Sequence, residues 1–261
     1  MKKIAALLTS MILLLSVSSP AYPQDWGRLL SAGIKTVESF TISDSQVQQY
    51  VHEYVKYQDK QNKVAPEGSP YAQRLDSITK SFTSVGGVPL NFKVYITKDV
   101  NAFACADGSV RVYSGLMDLM NDDEVRGVVG HEIGHVAHKD TKNAFKNALR
   151  TSALRDAIGT AGGVVEALSD SQLGALGETL MNSQYSQKQE MNADNYSYDF
   201  LKSHGYNPLA LATAFQKLDS ISGGGNGGGS LLQAFSSHPD TKKRINNIVK
   251  RAKKDGYKLQ K

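Results

Sequence analysis

The chain has a single cysteine in 261 residues, and that count alone removes two classes of protein. It can form no internal disulfide framework and no zinc site built on several thiolates. Any metal must be held by histidines and carboxylates. Long runs of one charge are also missing: Lys and Arg number 30 against 25 Asp and Glu, a net of +5 with a pI near 9.1. A surplus so small and so dispersed gives no footing for nucleic-acid binding. No internal repeat is visible, and nothing beyond the first 21 residues resembles a membrane span. With 40% hydrophobic and 21% charged residues, the composition is that of a globular chain. Disorder, collagen-like repeats and a multi-span membrane protein are excluded.

The first residues read as an export signal. Met1-Lys2-Lys3 is a short cationic start, and Ile4 to Val17 is apolar except for Thr9, Ser10 and Ser16. Ser19-Pro20-Ala21 supplies small residues for signal peptidase, which places cleavage after about Ala21. The apolar run is shorter than the ~20 residues of a spanning helix. Removing Lys2 and Lys3 leaves +3 of the original +5. A lipoprotein signal needs a cysteine at the cleavage point, and the one cysteine is Cys105. The expectation is an exported, periplasmic protein with no lipobox cysteine.

The remainder reads as one α+β domain, mainly helical, with a small antiparallel or mixed sheet. N-terminal helices are expected within 22–85, the sheet over 91–113, and a helical part over 121–261 with a glycine-rich loop at 223–229. Ser43-Asp44-Ser45-Gln46 has capping-box spacing ahead of Val47, Tyr50, Val51, Tyr54 and Val55, predicting a helix of about four turns. Tyr71, Leu75, Ile78 and Phe82 share a face of a second helix that Gly86-Gly87 should end. Phe92, Val94 and Ile96 alternate as in a strand, and Ala102 to Ala106 and Val110 to Tyr113 read as two more, joined at Asp107-Gly108. Asp122, Asp123 and Glu124 sit where a helix N-terminus favours negative charge, followed by a stripe of Val125, Val128, Val129, Ile133 and Val136. Further helices are expected near Asn182 to Lys202, over Leu209 to Leu218, and after Pro239.

Within the Asp122 helix lies His131-Glu132-Ile133-Gly134-His135. Histidines at i and i+4 project from one face about 6 Å apart along the axis, within reach of one Zn²⁺. Glu132 points roughly 100° away, which suits it to act as general base toward the attacking water. A random H-E-x-x-H arises in on the order of one such chain in a hundred, so chance is a weak explanation. His138 lies about 10.5 Å beyond His131 along the axis, too far for all three to share one ion. Glu190 is the better third ligand. It shares a helix face with Asp194, and two carboxylates at that spacing call for a cation between them. Asp194 would then accept the free N–H of a ligand histidine and fix its tautomer. His204 and His238 compete for the third ligand. Near the glycine tract, His238 or Arg244 could stabilise the oxyanion of a tetrahedral intermediate, and His238 could also ligate transiently in a closed state. Cys105 reads as a small buried hydrophobe.

Asn101-Ala102-Phe103-Ala104, Tyr113-Ser114-Gly115-Leu116, His131 to His135, the Glu190/Asp194 pair and Ser237-His238-Pro239 together resemble the HtpX-like zinc metallopeptidases. This is the gluzincin group that also contains the CAAX prenyl proteases. The likeness covers residues 43–255 and is strongest to soluble envelope proteases of the family, through residues 112–117, 171–174 and 182–200. The resemblance implies one Zn²⁺ per chain on His131, His135 and Glu190, with Glu132 as catalytic base. It also implies a sheet edge, here Asn101, Ala102, Phe103 and Ala104, above the metal, where an extended peptide could pair. The expected function is zinc-dependent hydrolysis of unfolded or misassembled cell-envelope proteins. The rival is a non-catalytic zinc-containing chaperone for outer-membrane protein assembly. Peripheral outer-membrane association and oligomeric state stay open.

Overall fold

Helix α1 (Asp44–Gln61) begins where Ser43 accepts from the Gln46 backbone N–H and the Gln46 side chain accepts from Ser43 N–H. It runs a turn longer than its apolar stripe suggests. The computed structural model describes residues 42–150, 167–222, 238 and 241–258. The export signal, the glycine tract at 223–229 and the residues flanking His238 lie outside them. Helix α2 (Pro70–Thr79) is capped by Ser69 and stops at Thr79, earlier than expected. Gly86 and Gly87 do not end it. Their φ values of 56° and 82° form the turn of a hairpin between β1 (Ser84–Val85) and β2 (Val88–Pro89). Both φ values are ones that a side chain disfavours, the signature of a two-residue hairpin turn.

The main sheet has β3 (Asn91–Tyr95), β4 (Ala102–Ala104) and β5 (Ser109–Tyr113) in the order β3-β5-β4. β3 runs parallel to β5 and β4 antiparallel to it, so the sheet is mixed and β4 is an outer strand. The β4–β5 turn centres one residue earlier than the Asp-Gly dipeptide suggested. Gly108 N–H bonds to the Cys105 carbonyl at 3.0 Å, and Gly108 has φ 86°. A Cβ there would also lie 2.1 Å from the Pro89 carbonyl oxygen, so glycine is required twice over. Asp59, near the end of α1, holds the sheet from one side. Its carboxylate takes Arg111 Nε at 2.8 Å, Lys93 Nζ at 2.8 Å and the Tyr95 hydroxyl at 2.7 Å. Burial works against the Asp59 anion, but these donors outweigh it and hold the carboxyl below its usual range.

Helix α3 (Ser114–Leu119) leads into α4 (Asp122–Ala137), which carries both histidines. Asn121 caps α4, and the Glu124 side chain closes a capping box back onto it. The Val/Ile stripe is buried as expected, but so are thirteen of the sixteen residues of α4. The helix is enclosed because α7 (Gln187–Ser203), α8 (Leu209–Ser222) and β4 all pack on it. α5 (Asp140–Leu149), α6 (Asp170–Met181) and α9 (Thr241–Lys254) complete the described helices. The expected helix from Asn182 starts later. Asn182 caps the end of α6, and Ser186 with Gln189 opens α7 afresh.

Three glycines on α4 set how near its neighbours come. A Cβ at Gly127 would sit 3.1 Å from Leu211 Cα of α8. At Gly130 it would sit 2.9 Å from Ser197 Oγ, and at Gly134 2.8 Å from Ala193 Cα, both on α7. Ser197 Oγ uses the proximity to donate to the Gly127 carbonyl at 2.7 Å. This seam brings the first turn of α7 beside the histidines.

Candidate metal centre

His131 and His135 project from α4 with their Nε2 atoms 3.2 Å apart. Glu190, in the first turn of α7, places Oε1 3.3 Å from His135 Nε2 and Oε2 3.7 Å from His131 Nε2. His238 Nδ1 completes the group at 3.3 Å from His131 Nε2 and 2.9 Å from Glu190 Oε1. One donor atom from each of the four residues falls within 4.8 Å of the others. Tetrahedral donors at zinc bond lengths of ~2.0–2.1 Å stand roughly 3.4 Å apart, so the spacing fits a single ion. The donor chemistry fits as well. Imidazole nitrogens at this distance set lone pairs against one another unless a cation lies between them. Glu190 Oε2 is buried 2.5 Å from Arg244 Nη1, an ion pair without an aligned hydrogen bond.

The outer groups orient these donors. Asp194 Oδ1 lies 2.9 Å from His131 Nδ1, which leaves Nε2 to face the cluster. Asp140 Oδ2 does the same for His135 Nδ1 at 3.1 Å, and its other oxygen accepts from Gln189 Nε2 at 2.9 Å. Lys139, at φ 62°, makes the tight turn that swings Asp140 under His135. Arg244 of α9 grips Asp194 through Nε at 2.8 Å and Nη2 at 2.6 Å, with its guanidinium over the Phe215 ring. Tyr185 stacks on the His135 ring at 4.0 Å between centroids.

Charge around the cluster is uneven. His131 is pushed down to about 3, by burial first and then by the Arg244 guanidinium, so its ring is neutral. Burial also opposes the charged form of His135, but Asp140, Glu190 and Glu132 outweigh it and raise the ring to about 9. Burial of Glu190 is likewise outweighed, by His135 and His238, and its carboxyl lies far below the usual range. The carboxylates thus favour positive charge at His135, while burial and Arg244 disfavour it at His131. Glu132 is set apart: burial raises its carboxyl, and the side chain faces a separate cavity of about 120 Å³. That cavity is walled in part by Asn101, Ala102, Phe103 and Ala104 of the outer strand, and His238 stands at it too.

Of the residues singled out in the sequence, His131, His135, Glu190, Asp194, His238 and Arg244 meet at this one place. His138 caps the end of α4, and His204 is exposed at the end of α7, where its Nδ1 meets the Phe200 carbonyl at 2.9 Å. Of the two residues expected at an oxyanion, His238 keeps its Nε2 beside the cavity, 3.8 Å from Glu132 Oε1. His238 Nδ1 is turned into the ligand cluster, and Arg244 is committed to Asp194 and Glu190. Cys105 is buried in the cavity wall, and burial pushes its thiol well above the ordinary range, as suits an inert hydrophobe. Sequence reasoning missed Asp140, Gln189 and Tyr185. Asp140 had a legible signal, an acidic residue opening the next helix directly after the histidine helix.

Comparison with known proteins agrees with the geometry. The model of Peptidase family M48 matches residues 71–252. The chain is 44% identical to Metalloprotease LoiP of Escherichia coli K12 over 98% of its own length and 100% of that protein. It is 39% identical to Metalloprotease YcaL of the same organism over 95% of each. The crystal structure of S. mikatae Ste24p aligns with TM-score 0.45 and 18% identity, covering 85% of this chain and 62% of that one. With two imidazoles and a carboxylate converging beside a buried glutamate, and a family match over most of its length, the chain belongs to Peptidase family M48 and is a metallopeptidase.

Proposed function

We propose that this chain is a zinc-dependent endopeptidase that cleaves unfolded or misassembled proteins of the cell envelope. The observation that carries the reading is the convergence of His131, His135 and Glu190 beside Glu132, at a cavity bordered by the outer strand β4. Zinc on the three ligands would polarise the scissile carbonyl and provide a water nucleophile at neutral pH. Glu132 takes a proton from the attacking water on its carboxylate and passes it to the leaving amine. Asp194 and Asp140 keep the ligand imidazoles in the required tautomers, and Arg244 positions Asp194 and Glu190. His238 closes the cluster in the resting arrangement and withdraws when a peptide enters. An extended peptide pairs along β4, and such main-chain bonding tolerates many sequences and requires an unfolded segment.

Metal analysis tests the ligand set. The purified protein should hold one zinc per chain. In the Glu190→Ala variant, affinity should fall by at least 10–100-fold, the loss expected for altering even a group that supports a ligand. Full zinc occupancy with unchanged affinity in that variant would show that the third ligand is misassigned.

The envelope assignment rests on the export signal at Met1 to Ala21. Among the described residues no helix is long and apolar enough to cross a membrane. Peripheral contact with an anionic membrane has support in α9, which buries Arg244, Ile245, Ile248 and Ala252 and exposes Lys242, Lys243, Lys250, Lys253 and Lys254. Each lysine near such a surface contributes about 1 kcal/mol. Sedimentation with vesicles containing phosphatidylglycerol should retain the protein at low salt and release it at high salt. Equal retention by neutral vesicles would remove this part of the reading.

A further inference from the structure

The hydrogen bonds around Gln189 form a chain from one metal ligand to the helix that carries another. Tyr185, stacked on the His135 ring at 15° between planes, fixes the plane of that imidazole. Turning within the plane is limited by Asp140, whose Oδ2 lies 3.1 Å from His135 Nδ1. Asp140 is 5% exposed, and its Oδ1 accepts from Gln189 Nε2 at 2.9 Å. Gln189 is held at its other end as well. Its Oε1 accepts from the Ser186 N–H at 2.9 Å and from the Ser186 hydroxyl at 2.8 Å, in the capping box that opens α7. A carboxylate only accepts, and an amide has one end of each kind, so the polarity of the chain is fixed throughout. Glu190, the third ligand, is the next residue.

We propose that Gln189 is a positioning residue for the metal centre, linking the docking of α7 to the orientation of His135 through Asp140. Gln189 touches no reacting atom. When the first turn of α7 docks, it brings Glu190 to the cluster. In the same step it holds Asp140 so that His135 keeps Nδ1 toward Asp140 and Nε2 toward Glu190. His131 is oriented by α7 directly, through Asp194. One helix thus supplies a ligand and sets both imidazoles. The inference rests on the peptidase reading, because the orientation of His135 matters through its role as a ligand.

The test reverses the hydrogen-bond polarity of the Asp140–Gln189 pair. Asp140→Asn alone can satisfy His135 or Gln189 but not both. Gln189→Glu alone sets two carboxylates face to face, yet keeps the helix cap, since Glu serves a capping box as well as Gln. The double variant regains a donor–acceptor pair and the total charge of the unmodified protein. Zinc affinity, measured by chelator competition, should fall on the order of tenfold or more for Gln189→Glu. Added to Asp140→Asn, the same substitution should raise affinity by about 3–10-fold, the worth of one hydrogen bond. Charge alone, or a weakened helix, would move affinity in one direction in both backgrounds. The visible absorption of the Co²⁺-loaded proteins reports ligand geometry and not stability. It should change in each single variant and return toward that of the unmodified protein in the double. A Gln189→Glu effect of the same sign in both backgrounds, or Co²⁺ spectra alike in all four proteins, would overturn the proposal. Zinc uptake by the unmodified protein without that reversal strikes this inference alone, whereas no uptake at all strikes the peptidase reading.

Discussion

Glu132→Gln is expected to lower kcat/KM for unfolded protein substrates by roughly 10²–10⁴-fold, the usual worth of a positioned general base. Glutamine preserves the size of the side chain and its place at the cavity but can take up no proton. Glu132 is not among the four residues whose donor atoms converge, so zinc content and thermal stability should stay near those of the unmodified protein. The variant also separates the two functions that the sequence leaves open. A chaperone built on the same metal and the same outer strand has no use for that carboxylate and would keep its activity. Cleavage of casein at the full rate by Glu132→Gln would eliminate the hydrolytic mechanism.

The second large effect is expected where no chemistry takes place. Gly134→Ala puts a Cβ 2.8 Å from Ala193 Cα and 2.9 Å from the Ala193 carbonyl oxygen, both backbone atoms of α7. A side-chain neighbour could rotate away, but here the whole helix must shift. Overpacking of this kind costs about 1–3 kcal/mol, against the ~1 kcal/mol that alanine gains over glycine inside a helix. The clash wins, and the shift is read out at Glu190, one turn before Ala193. Zinc affinity should fall at least tenfold, although no ligand has been altered. Gly174→Ala is the matched control. It lies within α6, and its added Cβ meets only Tyr57 Oη at 3.4 Å, an ordinary contact. That variant should be neutral or more stable by up to about 1 kcal/mol, with zinc binding unchanged. If thermal melts and zinc titrations show the two variants behaving alike, close helix approach is not what places Glu190.

The parts of the site visible in the sequence are those whose partners lie within a few residues. His131, Glu132 and His135 were legible because helical geometry dictates which of them can share an ion. Glu190 and Asp194 were legible because two carboxylates on one face need a cation. The α1 cap was read from four residues. What was missed depends on contacts between distant segments or on turns too short to show a period. The β1–β2 hairpin has two residues per strand, so no alternation could announce it. Tyr185 falls in a linker that the periodicity merged with α7, and only the folded chain stacks it on His135. The α4 glycines were in plain view, but glycine inside a helix does not say which neighbour comes close. Arg244 was legible as a residue near the site, but its sequence position carries no record of Asp194 and Glu190 waiting for it.

The glycine seam between α4 and α7 also bears on when the enzyme can first act. His135 and Asp140 are near neighbours in the chain, so that half of the centre can assemble as soon as two adjacent helices form. Glu190 arrives only when a much later segment docks along the seam, after a long loop has closed. Before that moment the chain offers an ion two imidazoles and no carboxylate, too few ligands for a catalytic zinc. A newly made chain is thus harmless to itself and to its neighbours until its own folding is complete.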